Sequence, residues 1–205
     1  MRVFVTGVNG QLGHDVMNEL LRRGHEGIGS DLHSFLTAAE EDCVAVKSSY
    51  VSLDITDKNA VSRTIEVAAP DAVIHCAAWT AVDLAEEEEN MALVRSVNVD
   101  GTDHIAAACK QLGCKMLYIS TDYVFDGQGT CPWEADCRDF HPLNVYGQTK
   151  LEGELAVSRQ LEKFFIVRTA WVFGLHGKNF VKTMIEAGKH RSEVRVVNDQ
   201  IGTPI

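Results

Sequence analysis

Three glycines spaced three apart, Gly7, Gly10 and Gly13, follow a short apolar run at 3–6 and open a stretch of helical periodicity. A strand that turns straight into a helix needs residues without side chains where the backbone doubles back and where helix meets strand. The start of such a helix leaves its first N–H groups without partners, so the turn becomes a seat for an anion. In this setting the triplet predicts an α/β sheet whose first turn cradles the pyrophosphate of a dinucleotide.

The rest of the chain alternates in the same way. Leu12, Val16, Leu20 and Leu21 recur at helical spacing over 11–23, and Gly24 closes that helix. Strands are predicted at 26–30, with Asp31 at the end, and at 50–53, followed by Asp54. A helix capped by Asp57 runs to Ala69, where Pro70 stops it. A strand at 72–75, a long helix from the acidic run to Leu112 and a strand at 115–120 come next. A loop over 126–142, a helix at 144–159, a strand at 164–168, a helix at 179–190 and a last strand at 194–197 complete the reading. Strand-helix alternation of this kind predicts a doubly wound parallel sheet, the Rossmann architecture. With neither a linker nor a repeat, residues 1–205 read as one domain, of a length that suffices for a buried core.

Charge and composition narrow the partners. The net charge of −10, from 29 acidic and 19 basic residues, lacks the basic footprint that nonspecific nucleic-acid binding requires. No apolar run approaches the ~20 residues that span a bilayer. The N-terminal apolar stretch runs into a glycine loop rather than a cleavage site, so a cytoplasmic protein is expected. The run at 86–89 reads as a solvated helix face. Cys43, Cys76, Cys109, Cys114, Cys131 and Cys137 form no C-x-x-C pair and read as free thiols, with no metal site.

Asp31 stands where a carboxylate accepts hydrogen bonds from an adenosine ribose and repels a 2′-phosphate, which favours NADH over NADPH; a helix cap is the other reading. Asp54 points toward the adenine edge, and the small residues of Cys76-Ala77-Ala78 let backbone pass close to a cofactor. Tyr146 and Lys150 lie one helical turn apart, so the ammonium is expected to lower the phenol pKa and make Tyr146 a usable acid/base. Thr121 ends the fifth strand at the carboxyl edge, where its hydroxyl can polarise a substrate carbonyl; Ser120 points to the other face.

The segments TGVNGQLG (6–13), HCAAWTAVDLAE (75–86), NVDGT (98–102), YISTDYVFDG (118–127), PLNVYGQTKLEGE (142–154), VRTAWVFG (167–174) and VVNDQIGTP (196–204) carry a resemblance. The chain resembles the extended short-chain dehydrogenase/reductase family, in particular its nucleotide-sugar reductases. The resemblance implies NADH or NADPH as cofactor, and reduction of the 4-keto group of a dTDP-linked 6-deoxy sugar. It implies Thr121, Tyr146 and Lys150 as the catalytic set. Cofactor contacts are implied at Gly7, Gly10, Gln11, Leu12, Gly13, Asp31, Asp54, Ile55, Ala77, Ala78, Tyr146 and Lys150. Substrate contacts are implied at Thr80, Val82, Thr121, Asp122, Tyr123, Trp171 and Asn179. It also allows a homodimer. Family dehydratases carry a Glu where Tyr123 stands, which favours simple reduction. A cofactor-binding regulatory module and an epimerase or dehydratase are the alternative readings. Family members continue past VVNDQIGTP into a smaller substrate domain, so that domain is expected to be largely absent.

Overall fold

In the computed structural model, which describes residues 1–34 and 49–205, the alternation becomes six parallel strands. They are β1 (Arg2–Thr6), β2 (Glu26–Asp31), β3 (Ser49–Ser52), β4 (Ala72–His75), β5 (Lys115–Thr121) and β6 (Phe164–Thr169). Their order is β3-β2-β1-β4-β5-β6, so the winding reverses between β1 and β4. Ligands of open parallel sheets bind beyond the strands' carboxyl ends at such a reversal. Register there is fixed by Thr6 opposite His75 and by Ser120 opposite Arg168.

Strand alternation divides the core between the two faces. Phe4 of β1 joins Val73, Met116 and Tyr118 on one face, while Val3 and Val5 pack with Val8, Met17 and Leu20 on the other. The first face is covered by α2 (Lys58–Ala68), α4 (Thr102–Leu112) and α5 (Val145–Gln160). The second is covered at β1 and β2 by α1 (Gln11–Arg22). Among the residues of α1, Met17 and Leu20 carry the buried stripe; Leu21, expected on that stripe, is exposed. Asp57 caps α2 by accepting from the N–H of Asn59 and Ala60, and Ala69, in a left-handed conformation before Pro70, ends it.

The long helix expected before Leu112 is broken. A short 3-10 turn at Asp83–Glu86 precedes α3 (Glu88–Arg95), and a π turn at Ser96–Gly101 joins α3 to α4. Residues 86–89 are exposed, as a solvated face requires. The wider π turn swings Asn98 into the interior and brings the Gly101 backbone against Ile55. After β6 comes α6 (Phe180–His190), which holds no buried residue. The strand expected at 194–197 is not there: that segment has no regular structure and pairs with no strand among the described residues. Alternating apolar residues produce a strand only where a neighbouring edge supplies hydrogen bonds. Cys43 lies outside the described residues, and the five described cysteines are free thiols. Among the described residues no helix is long and apolar enough to cross a membrane.

α5 packs on two sides because its contact positions are small. A Cβ at Gly153 would lie 2.4 Å from the Tyr118 hydroxyl and 2.9 Å from the Asn98 carbonyl oxygen, whereas one at Gly188 of α6 would meet nothing within 4 Å. Gly153→Ala is therefore expected to destabilise the fold by about 1–3 kcal/mol through overpacking. Gly188→Ala, at an open helical site, is expected to stabilise it by about 0.4–1 kcal/mol. Urea unfolding of the two variants should move the midpoint in opposite directions.

Candidate active site

The carboxyl ends of β1, β4, β5 and β6 open into a cleft of about 1610 Å³. Its floor is the glycine loop. Gly7 adopts φ +74° and donates its N–H to the Ser30 carbonyl at 2.8 Å. A Cβ on Gly7 would come within 2.7 Å of the Ala77 nitrogen, and one on Gly13 within 2.2 Å of the Gly7 carbonyl oxygen. Loop, helix and the segment after β4 thus touch through backbone alone. Gly10 caps α1 without a side chain, and Gly10, Gln11, Leu12 and Gly13 all line the cleft. The first-turn N–H groups and the positive end of the helix dipole are turned toward it.

Asp31 lines the same floor. Its carboxylate accepts the N–H of Asn9 at 3.0 Å and of Leu32 at 2.8 Å, which leaves acceptor capacity on both oxygens. Asp54 accepts from the N–H and hydroxyl of Thr56, and with Ile55, Ala77 and Ala78 it completes the lining on this side.

Beneath the floor runs a buried chain of hydrogen bonds that sequence reading missed. The Ala77 N–H donates to Thr6 Oγ1 at 3.1 Å, and Thr6 Oγ1 lies 2.7 Å from His75 Nδ1. His75 Nε2 is 3.2 Å from Thr102 Oγ1, which itself donates to the Asn98 carbonyl at 2.8 Å. With the Thr102 proton committed, His75 donates through Nε2 and accepts the Thr6 hydroxyl at Nδ1. That tautomer is neutral, and burial pushes the His75 pKa down to about 3. The Asn98 side chain accepts the Trp79 N–H at 2.8 Å and donates to Thr149 Oγ1 at 3.1 Å. The only sequence signal for this was the NVDGT segment, whose asparagine is polar at a position the π turn buries.

The three residues expected to carry the chemistry are brought together on the wall beyond β5. Thr121 and Lys150 are buried, and both line the cleft with Tyr146. Thr121 Oγ1 donates to Asp122 at 3.1 Å and accepts the Tyr123 N–H at 3.2 Å. The Tyr146 ring meets Tyr123 edge-on with centroids 5.8 Å apart. Asn144 caps α5 by accepting the Gly147 N–H at 2.7 Å, which fixes the first turn that carries Tyr146. Lys150 Nζ donates to the Ile119 carbonyl at 2.7 Å and lies 4.1 Å above the Tyr118 ring.

Electrostatics here correct one expectation. Burial pushes the Tyr146 phenol up to about 12, opposed by a hydrogen bond with Thr121 and reinforced by the Asp122 carboxylate. Lys150 is not among the groups that act on it: burial pushes Lys150 itself down to about 7, and one of its N–H groups is donated to the Ile119 carbonyl. The site holds a neutral phenol, suited to giving a proton rather than taking one.

At the mouth, Thr80, Val82, Asp122, Tyr123 and Trp171 line the cleft as expected. Asn179 does not. It caps α6 by accepting the Lys182 N–H, while its amide donates to Gln11 Oε1 at 2.7 Å and to the Gly174 carbonyl. A helix-capping asparagine points back along its own loop, here toward the glycine turn and not into the opening. Trp79, Phe125, Leu143 and Met184 add an apolar lining that no local motif announced.

The family model described as RmlD substrate binding domain matches residues 1–205. A dTDP-4-dehydrorhamnose reductase of Shigella flexneri is 38% identical over 205 residues, which is 100% of this chain and 62% of that protein. The crystal structure of a dTDP-4-dehydrorhamnose reductase from Clostridium acetobutylicum is 41% identical, with a TM-score of 0.86 over 100% of this chain and 65% of that one. That of a dTDP-4-dehydrorhamnose reductase from Bacillus anthracis, in complex with NADP, is 40% identical, with a TM-score of 0.83 over 99% of this chain and 65% of that one. The chain thus spans a little under two thirds of the length of these relatives. Since the match takes in the glycine floor, the wall beyond β5 and the mouth alike, the chain belongs to the RmlD substrate binding domain family.

Proposed function

We propose that this chain carries the cofactor and proton-transfer half of a reductase that converts the 4-keto group of dTDP-4-dehydro-6-deoxy-L-mannose to the alcohol of dTDP-L-rhamnose. The observation that carries the reading is a neutral, half-buried Tyr146 beside Thr121, on the wall of a cleft whose floor is a side-chain-free anion seat. The names of the relatives, one of them a complex with NADP, support the substrate and a nicotinamide cofactor.

The glycine loop and the first turn of α1 would hold the pyrophosphate of that cofactor, Asp31 the adenosine ribose, and Lys150 the nicotinamide ribose. When bound, the nicotinamide supplies the hydride that reaches C4. Thr121 donates a hydrogen bond to the C4 oxygen, and Tyr146 delivers the proton that converts the developing oxyanion to a hydroxyl. The phenolate left behind regains its proton from solvent. Tyr123, in place of a carboxylate, offers no base for abstraction at C5 or C6, which favours reduction over dehydration. The apolar mouth, with Trp171 and the segment 195–201, forms the start of the substrate-binding region.

Loss of absorbance at 340 nm with NADH or NADPH, the 205-residue chain and the 4-keto sugar nucleotide tests the reading directly. Sugar-dependent oxidation is expected, and cofactor binding without oxidation would reduce the assignment to a cofactor-binding module. Tyr146→Phe should leave cofactor affinity within about twofold and cut turnover by roughly 10²–10⁴-fold. A loss below threefold would sink the proton-donor role.

For the adenosine end we propose a preference for NADH, because a carboxylate at Asp31 repels a 2′-phosphate and no lysine or arginine pairs with it among the described residues. Asp31→Ala should shift the ratio of Kd for NADPH to that for NADH toward NADPH by on the order of tenfold, read by fluorescence titration. An unchanged ratio would remove Asp31 from cofactor selection.

A further inference from the structure

Lys150 lies at the centre of the wall, and the groups that face it come from three elements. β4 and the residue after it contribute His75 and Cys76, β5 contributes Tyr118, and α5 contributes Tyr146 one turn before and Glu154 one turn after. His75 is held neutral by burial, and burial pushes the Cys76 thiol and the Tyr146 phenol up to about 12 and the Tyr118 phenol upward as well. The charged group that acts most strongly on Lys150 is the carboxylate of Glu154, four residues on along α5.

Glu154 is itself buried and fully engaged. It accepts the Ser120 hydroxyl at 2.6 Å and a two-pronged contact from Arg168, Nε at 2.9 Å and Nη2 at 2.7 Å. Arg168 reaches in from β6, sits 4.9 Å over Phe140 and 5.3 Å over Phe125, and donates to the Cys137 carbonyl. Ser120 is the residue just before Thr121. The carboxylate thus touches the strand end that presents Thr121, and its residue follows Lys150 by one turn of α5. Burying an ion pair returns little net folding free energy, because desolvation offsets attraction. Its field in a low-dielectric interior is nevertheless strong at a neighbouring charge.

We propose that Glu154 and Arg168 are a positioning pair for the catalytic wall: Glu154 holds the charge on the Lys150 ammonium and fixes Ser120 behind Thr121, while Arg168 sets how much of that field reaches Lys150. This rests on the role given to Lys150 above. The two partners of one ion pair then act on Lys150 with opposite sign, which no merely structural role would do. Removing the carboxylate leaves Arg168 unopposed and makes Lys150 lose its proton more readily. Removing the guanidinium leaves the carboxylate to Lys150 and makes it hold the proton to higher pH.

The test is the pH titration of Lys150 by NMR on the 205-residue chain labelled with ε-¹³C lysine, with Lys150→Arg assigning the signal. Glu154→Gln should move the midpoint down by about one pH unit, and Arg168→Gln should move it up by a similar amount. The double variant should fall between wild type and Glu154→Gln. Midpoints that move the same way, or stay within about 0.2 pH unit of wild type in both single variants, would overturn the proposal. Should a single variant fail to give a wild-type circular dichroism spectrum, the double variant decides: an unchanged midpoint overturns it and a lowered one upholds it. The titration needs no turnover, so shifted midpoints in an inactive chain would sink the reductase reading and leave this one standing. In an active chain the basic limb of the kcat profile should follow the same order.

Discussion

The architecture of the cleft depends on how closely the backbone of the glycine loop approaches the segment after β4. With a would-be Cβ at Gly7 only 2.7 Å from Ala77, these two turns can coexist only if neither carries a side chain between them. Everything below follows from that proximity. Thr6 is placed to receive the Ala77 N–H, His75 to receive Thr6, and Thr102 and Asn98 to continue the line to α5. A close backbone contact at the switch point is thereby translated into the position of α5, and with it of Tyr146. Each buried polar group in this line has its partner, so the line costs little and specifies much.

The second organising element is the treatment of charge. Lys150 is taken out of water next to two phenols, a thiol and an imidazole, none of which is ionised near neutrality. The wall works as a low-dielectric pocket with one cation and one buried ion pair behind it. In such surroundings Tyr146 holds its proton more tightly than a phenol in open solvent does, which suits the donation proposed for it.

The alternation of strands and helices, the sheet class, the glycine turn and the spacing of Thr121, Tyr146 and Lys150 are all legible locally, because each depends on residues within one turn or one strand. What escaped was set by distant partners. Asn98 joins the buried hydrogen-bond line only because a π turn buries it, and a π turn leaves no signature in apolar spacing. Arg168 and Glu154 read as ordinary polar residues of a strand and a helix until register places Arg168 beside Ser120. Asn179 was legible as a residue at a helix start but not as one facing the glycine loop. The segment 194–197 alternates like a strand, yet its pattern says nothing about whether an edge waits beside it. The pKa of Tyr146 was misread for the same reason: spacing brings a cation near, but burial decides which form survives.

The absence of any buried residue in α6 has a dynamic consequence. Helices hold against local opening through the apolar surface they bury, and amides that open without disturbing the core exchange earliest. Phe180 and Met184 of this helix, with Val196, Val197 and Ile201 after it, form one side of the cleft's mouth, whereas the floor is built into the strands of the core. Hydrogen exchange should therefore divide the chain in two, with slow amides beneath the cofactor seat and fast ones around the opening. On warming, the mouth would loosen while the floor stays folded, so the dinucleotide seat proposed there would outlast any grip on what enters above it.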